Sequence, residues 1–455
     1  MGLAVAGTPV KRQHRIEQIR HHIEGRKLVW FGNRATDGAC LEDLPELSDI
    51  VGLVAPCTGV NSASTYCLES EWVRRVDLNT FDIDQNRGFE IANLHHHLFR
   101  LMSSPSVLLS YRPSEFLTAL RYPCLATCQV WAMPHLQQQA FEYKPWVESE
   151  VDKLGITIIP WRHYSIFDWS NIHRDFGKQP LVLRGAKGSG GAKLALAEGK
   201  DAIHDFCETL DEGIVSASVF IEDNLPLSVN AVVFRDGQVY CALLSVQLIG
   251  LPECTRRRFG FCGNDFGAVV SLPESCIIEL ERATTVIGRW LGSVGYLGAF
   301  GIDFLYSDGN LFFTEVNPRF MASAPLASSL SLGLGETDVY LEHMAAFAGL
   351  EPHPGASIIE RLGRVTTFPS QIMVYNRSSV TIGRADVDIA PSPGVAIVEE
   401  ARTRVSIMQE AQMFKLLFSR SVVDANGRLL LDVAKVVRES THRFVAGSNQ
   451  LGANL

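Results

Sequence analysis

The chain has 455 residues, 46% of them apolar and 20% charged, with a formal net charge of −9 at pH 7. Single cores stop growing beyond about 250–300 residues, so two or three domains are expected. No apolar run is long enough to span a bilayer, and the acidic balance argues against nucleic acid as a partner.

The first residues, MGLAVAGTPVKRQHR, put an apolar stretch ahead of a basic one, the reverse of a secretory leader. Ala6 stands where a myristoylation signal has Ser or Thr. Ten cysteines scattered without such a leader read as reduced, cytoplasmic thiols. Residues 27–60 read as strand, loop, strand (KLVWFGN, then DIVGLVAPC). To about 135, a helical segment (FEIANLHHHLFRLM) mixes with short apolar runs (SVLLSY, CLATCQVWAM), as in an open α/β domain over 1–138. His95, His96 and His97 are adjacent on that helix and point in different directions, and Cys124 and Cys128 find no second cysteine pair, so neither group is taken as a metal site.

Residues 139–348 alternate helical segments (KPWVESEVDKLG, IIELERATTVIGRWLGSVG) with strand-like ones (PLVLRG, SVNAVVF, QVYCALLSV, FGIDFLY, LFFTEV). Asp236–Gly237 and Asp308–Gly309 are hairpin-turn signals. Pro352, Pro354 and Gly355 mark a boundary, and 349–455 turn β-rich: TTFPSQIMVYN, SVTIG, GVAIVEE, then SVVDANGRLLLDV around an Asn426–Gly427 turn. The polar tail GSNQLGANL is expected to fray.

The strongest signal is GAFGIDFLYSDGNLFFTEVNPRF, two β-runs around Asp308–Gly309–Asn310. A three-residue loop pairs Ser307 with Leu311 and Leu305 with Phe313, which sets Asp303 opposite Glu315. Period-two alternation then brings Asn317 to the same face. A two-residue loop would send Glu315 to the other face. Carboxylates inside apolar runs are unfavourable unless paired. Few hard oxygen ligands suit Mg²⁺ held jointly with substrate phosphates. Arg319 is suited to a phosphate or a developing oxyanion. An ordinary exposed hairpin with alternating polar residues is the competing reading.

In QPLVLRGAKGSGGAK a strand ends at Arg184, and Gly188–Ser189–Gly190–Gly191 follows. Successive glycines let backbone N–H groups approach phosphate oxygens, and Lys187 adds charge. Taken alone, such a loop more often means a simple turn. In KPWVESEVDKLGITIIP, Lys144 opens a helix followed by Leu-Gly-Ile, a strand and Pro160. The three arginines of TRRRFG, Arg256–Arg257–Arg258, fit either a clamp on a substrate anion or a solvated charge run.

In this order, over roughly residues 140–345, the pieces resemble the ATP-grasp superfamily. Its members share a lysine ahead of a helix and an LGI…P segment, a strand with a phosphate lysine and glycine-rich loop, an adenine hinge, and a hairpin ending in Glu-x-Asn-x-Arg. The resemblance implies an α/β (α+β) ATP-grasp fold with an N-terminal α/β domain and a β-rich C-terminal domain. It implies that Lys144, Arg184, Lys187 and the loop Gly188, Ser189, Gly190 and Gly191 serve the phosphates of ATP. It implies a hinge at SVFIED, with Val219 and Ile221 offering backbone groups to adenine and Glu222 facing ribose. Asp303, Glu315 and Asn317 become the ligands of Mg²⁺, with Mn²⁺ as a substitute, and Arg319 the catalytic cation. Arg184 departs from the lysine usual there, and arginine is not its equivalent.

The implied activity is carboxylate activation: ATP yields an acylphosphate and ADP, and an amine or peptide then displaces phosphate to leave an amide. The layout is similar to that of amino-acid and peptide ligases of microbial specialised (antibiotic) metabolism, the pheganomycin type among them. The implied partners are a small carboxylic acid and an amine or peptide, with no nucleic acid or membrane, and a homodimer is the commonest assembly. The same core also serves phosphotransferases and carboxylases, or a non-catalytic nucleotide-binding protein. No Met-Lys-Met-like biotin carrier segment occurs in the sequence.

Overall fold

The computed structural model describes residues 10–57, 60, 63–383, 394–402 and 404–446. After an opening helix, Val10–His22, the first strand-loop-strand unit forms as expected, with Lys27–Arg34 and Leu47–Val54 paired in parallel. Ser64–Cys67, Ser106–Ser110 and Cys128–Trp131 complete a five-stranded, all-parallel sheet. Leu28, Trp30 and Ile50 enter one core, and Val29, Phe31 and Val51 a second one on the other face. Burial on both faces explains why these strands read as continuous apolar runs. In chain order the sheet runs third, second, first, fourth, fifth. Connections therefore leave Lys27–Arg34 and Ser106–Ser110 in opposite directions, which opens a crevice at their carboxyl ends. On the helix Phe89–Met102, His95 stacks on Phe116 and His97 on Tyr66, while His96 is exposed.

A smaller four-stranded antiparallel sheet follows, ordered Arg162–Ser165, Ile214–Val219, Leu181–Gly185, Leu194–Ala197. The helices Trp169–Phe176 and Lys200–Glu208 pack against it around Ile172, Leu183, Ile203 and Val215. This small core makes the sheet a separate lid over the cleft.

The largest layer is an eight-stranded antiparallel sheet. It runs Asn310–Asn317, Gly298–Ser307, Leu225–Val233, Val239–Ile249, Phe261–Asp265, Ser370–Tyr375, Gln412–Phe418, Val395–Val398. The long helix Glu274–Ser293 buries Ile277, Leu280, Ile287 and Leu291, spacings that place them on one face. Strands from beyond residue 349 thus continue the central sheet through the pairing of Gly263 with Ile372. The C-terminal part is β-rich, with one correction. Val423 bridges Leu429 around the Asn426–Gly427 turn, but Leu431–Ala446 is a helix, so the LLLDV run does not continue as a strand. Its buried residues Val433, Val437, Ser440 and Phe444 recur at three- and four-residue intervals, a helical period. Of SVTIG only Ile382–Gly383 is a strand, and GSNQLGANL lies outside the described residues. Among the described residues no helix is long and apolar enough to cross a membrane.

Candidate active site

The hairpin Gly298–Ser307 and Asn310–Asn317 turns on two residues, not three. Asp308 and Gly309 both take positive φ, 48° and 76°, the arrangement that matches strand twist in a type I′ turn. Ser307 therefore pairs with Asn310, Leu305 with Phe312, and Phe304 with Phe313. Continued regularly, this ladder would set Asp303 against Thr314 and turn Glu315 to the opposite face. A β-bulge intervenes: Thr314 is the extra residue, and the ladder resumes with Asp303 opposite Glu315 and Gly301 opposite Asn317. The expected convergence occurs, but a bulge supplies it and not an odd loop.

Gln247 Nε2 and Asn317 Nδ2 each donate to Asp303 at 3.0 Å. Burial, with Glu315 opposite, pushes the Asp303 carboxyl up to about 7. Burial acts on Glu315 too, but the Lys144 ammonium, 3.0 Å away, and Arg184 outweigh it and hold that carboxyl below its usual range. Two facing carboxylates and a carboxamide, all hard oxygen donors, fit a divalent cation of the Mg²⁺ type. Such a cation removes the repulsion that now favours a proton on Asp303. Arg319 Nη2 donates to Asn317 Oδ1 at 2.9 Å, and its Nη1 to the Tyr111 hydroxyl at 3.3 Å.

Lys144 caps one end of this group. Its Nζ also donates to the carbonyl of Gly188 at 3.0 Å, linking the carboxylate hairpin to the glycine loop. The loop is pressed against other parts of the chain. A Cβ on Gly190 would lie 2.0 Å from Asn79 Oδ1, and one on Gly191 would lie 2.1 Å from the Phe259 carbonyl oxygen. Ser189 Oγ donates to the Asn79 carbonyl at 3.4 Å. The lysine side chain of Lys187 makes no ion pair among the described residues and lines the cleft. Arg184 is more constrained. Its Nη2 binds Glu148, its Nη1 donates to the Thr314 carbonyl at 3.3 Å, and its guanidinium lies 3.8 Å from the Trp161 ring centre. Burial lowers its pKa to about 9.

Val219, Phe220 and Ile221 cross from the lid to the large sheet and line the cleft. Glu222, just beyond, is exposed and outside the cleft wall, where only its carbonyl is engaged, by Ser307 Oγ at 3.5 Å. The arginine loop is divided: Arg257 pairs with Asp77 at 2.6 Å, while Arg256 and Arg258 are exposed. Sequence reading missed Gln247, Tyr111, Asn33 and Arg34. Only Gln247 carries a local signal, as the polar interruption of an apolar strand. Asn230 donates to Ser323 Oγ at 2.9 Å and so supports the segment after the hairpin. The hairpin carboxylates, Asn317, Arg319, Lys144, Arg184, Lys187, the glycine loop, Val219, Ile221, Gln247, Tyr111, Asn33 and Arg34 together line a cleft of about 330 Å³ between lid, large sheet and the parallel-sheet crevice. Volumes of roughly 300–1,000 Å³ are usual for small-ligand sites.

A family model for an ATP-grasp domain matches residues 163–323. Acetyl-CoA carboxylase of Dictyostelium discoideum is 22% identical over 156 residues, 33% of this chain and 6% of that enzyme, so the chain spans only a small part of that relative's length. The biotin carboxylase domain of Hydrogenobacter thermophilus 2-oxoglutarate carboxylase, solved with MgADP and bicarbonate, is 14% identical with a TM-score of 0.61, covering 87% of this chain and 86% of that one. Biotin carboxylase from Campylobacter jejuni is 15% identical, with a TM-score of 0.62 over 88% and 89% of the two chains. Carboxyaminoimidazole ribonucleotide synthase from Aspergillus clavatus, solved with ATP, is 12% identical, with a TM-score of 0.57 over 91% and 99%. At such identities the likeness speaks for the fold alone: the chain shares the fold of these proteins over 87–91% of its length, and the ATP-grasp model matches residues 163–323 within it.

Proposed function

We propose that this chain, which carries an ATP-grasp domain across residues 163–323, is an ATP-dependent carboxylate–amine ligase that releases ADP and phosphate. The observation that carries the reading is the opposition of Asp303 and Glu315 beside Asn317, at the meeting point of Lys144, the glycine loop and Arg319. In this proposal Asp303, Glu315 and Asn317 hold Mg²⁺, or Mn²⁺ in its place. When bound, the cation neutralises phosphate charge. Lys144, Lys187 and the N–H groups of Gly188 to Gly191 hold the phosphates, and Arg184 adds charge from behind. Val219 and Ile221 present backbone groups to adenine. Glu222 reaches ribose only from outside the cleft wall, which makes it the weakest member of the set.

The chemistry needs no enzyme nucleophile. A substrate carboxylate oxygen attacks the γ-phosphorus of ATP, and ADP leaves. The amine attacks the acylphosphate carbon; the carbon–oxygen bond to phosphate breaks and the amide remains. In this proposal Arg319, hydrogen-bonded to Asn317 and Tyr111, neutralises the acylphosphate and the tetrahedral oxyanion. The proposed working units are an N-terminal domain (1–138), an ATP-grasp core (139–348) and a C-terminal part (349–455). Ligation of an amino acid or related acid to an amine or peptide, in microbial specialised metabolism, rests on the resemblance of layout alone.

The test is incubation with Mg-ATP and pooled acids and amines, following ADP, AMP and phosphate. ADP and phosphate that require both pools support ligation, whereas AMP sinks the acylphosphate route. Glu315→Gln abolishes turnover with an unchanged circular-dichroism spectrum; normal activity in that variant removes Glu315 from the site. A second reading, carboxylation with bicarbonate as the acid, draws support from the carboxylases among the similar structures. It predicts ADP release that depends on bicarbonate.

A further inference from the structure

The cleft continues past Arg319 into the crevice of the parallel sheet. Asn33 and Arg34 end its first strand there, and Tyr111 and Arg112 follow its fourth. Around these residues the cleft is lined by Val54, paired with Arg34 at the strand ends, by Val76 and by the ring of Tyr375 beside Arg34. Apolar side chains bordering open space forgo dispersion contacts that a ligand body would supply. Bicarbonate, with no apolar body, makes no use of such walls.

The charges are equally one-sided. Among the described residues, the only carboxylates lining the whole cleft are Asp303 and Glu315. Other acids near the far end do not line the cleft: Glu69 pairs with Arg75 at 2.7 Å, Glu142 with Arg112 at 2.7 Å, Asp77 with Arg257 at 2.6 Å, and Glu399 with Arg34 at 3.4 Å and with Lys415, while Asp37, also beside Arg34, is buried, where burial raises its carboxyl. The donors, in contrast, are available. The Asn33 side chain has no hydrogen-bond partner among the described residues. Arg34 gives Nε and Nη2 to Gln412 Oε1, both at 3.2 Å, which fixes the guanidinium and leaves Nη1 without a partner among the described residues. A substrate ammonium here would meet arginines and no carboxylate, while an oxygen anion would meet a prearranged donor set.

Resting on the ligase reading above, we propose that the far end selects the acid substrate: a dicarboxylic acid with an apolar body, not a zwitterionic amino acid. One carboxylate lies at Arg319, beside the cation site. The body passes Tyr111 along the apolar walls, and the second carboxylate reaches Asn33 and Arg34.

Calorimetry with Mg²⁺ and a non-hydrolysable ATP analogue tests this with four probes: phenylsuccinate, 3-phenylpropanoate, L-phenylalanine and bicarbonate. Phenylsuccinate is expected to bind about tenfold tighter than 3-phenylpropanoate, a difference of roughly 1.4 kcal/mol. L-Phenylalanine and bicarbonate are expected to bind weakest. Equal binding of phenylsuccinate and 3-phenylpropanoate overturns the second-carboxylate site, and tighter binding of L-phenylalanine or bicarbonate overturns the proposal outright. Arg34→Gln also removes one of the two cations paired with the buried Glu399, so Asn33→Asp is the more informative variant. It is expected to remove the advantage of phenylsuccinate while 3-phenylpropanoate and the nucleotide analogue bind as before; a retained advantage overturns the assignment. Failure of the analogue itself to bind sinks the ligase reading instead, so the two failures are distinguishable.

Discussion

Thr314 Oγ1 donates to the main-chain carbonyl of Asp303 at 2.8 Å, tying the extra residue of the bulge to the strand it faces. The Thr314 carbonyl, displaced from the ladder, accepts from Arg184 Nη1 at 3.3 Å. The bulge that brings Asp303 and Glu315 together is therefore held from both sides. Thr314→Val keeps the shape and removes the hydroxyl. The expected loss is about 1 kcal/mol, the usual net worth of such a bond. Chemical denaturation should show a lower midpoint with an unchanged slope, and Mg²⁺ should bind more weakly. Unchanged midpoint and Mg²⁺ affinity would mean the bulge keeps its register without this bond.

Arg184 stands where the resemblance leads one to expect a phosphate lysine, yet its fork is committed to Glu148 and Thr314 and its plane to Trp161. Lysine cannot reproduce a planar fork or the stack. Arg184→Lys should lower stability by about 1–3 kcal/mol, from the bonds to a buried carboxylate and the lost cation–π contact. The nucleotide KM should shift less than about threefold, under roughly 0.7 kcal/mol. A large rise in that KM with unchanged melting would instead make Arg184 a direct phosphate ligand.

Which parts of this were legible follows from how local each device is. Asp303, Glu315 and Asn317 stood out in the sequence as polar residues within apolar strand runs, but alternation alone, counted from the two-residue turn, would have parted Asp303 from Glu315. The bulge was not legible, because Thr314 differs in no local way from a residue in register. The far end of the cleft was hidden for another reason. Arg34 and Gln412 are 378 positions apart and meet only after strands beyond residue 349 have joined the central sheet. The helix Leu431–Ala446 was masked because its first turn, Leu-Asp-Val, follows a Gly turn and two further leucines that also suit a strand. Such short apolar runs are ambiguous between the two periods.

The glycine loop gives a test of lid closure. Gly191 combines a φ of +75° with a Cβ position 2.1 Å from the Phe259 carbonyl oxygen, a backbone atom that cannot swing aside. Gly191→Ala should push the loop off the arginine segment and raise the nucleotide KM about tenfold, or roughly 1.4 kcal/mol. Gly213, on the same lid, has no atom within 4 Å of its Cβ position. Gly213→Ala is the matched control and should leave the KM unchanged. Equal effects from both substitutions would count against a closed loop as the binding state.

The last prediction concerns acid. Glu399 is buried, which alone would raise its carboxyl, but Lys415 and Arg34 beside it prevail and bring it down to about 2. A carboxyl depressed in the folded state binds its proton more readily when unfolded, so stability rises with pH across that interval. The contribution is fully present above the ordinary value of 4.5 and is lost as pH falls to about 2. A shift of this size corresponds to at most about 3 kcal/mol. Asp37, buried nearby and pushed up to about 6, acts in the opposite sense: its contribution declines as pH rises from 3.8 through 6. Denaturant titrations should therefore show stability climbing through an acid limb from about pH 2 to 3.8, below the range in which Asp37 and Asp303 oppose it. Glu399→Gln should flatten that limb and lower stability at pH 7 by more than at pH 3. A wild-type acid limb retained in the variant would show that Glu399 is not the group whose protonation unlocks the junction between the first strand and the C-terminal strands.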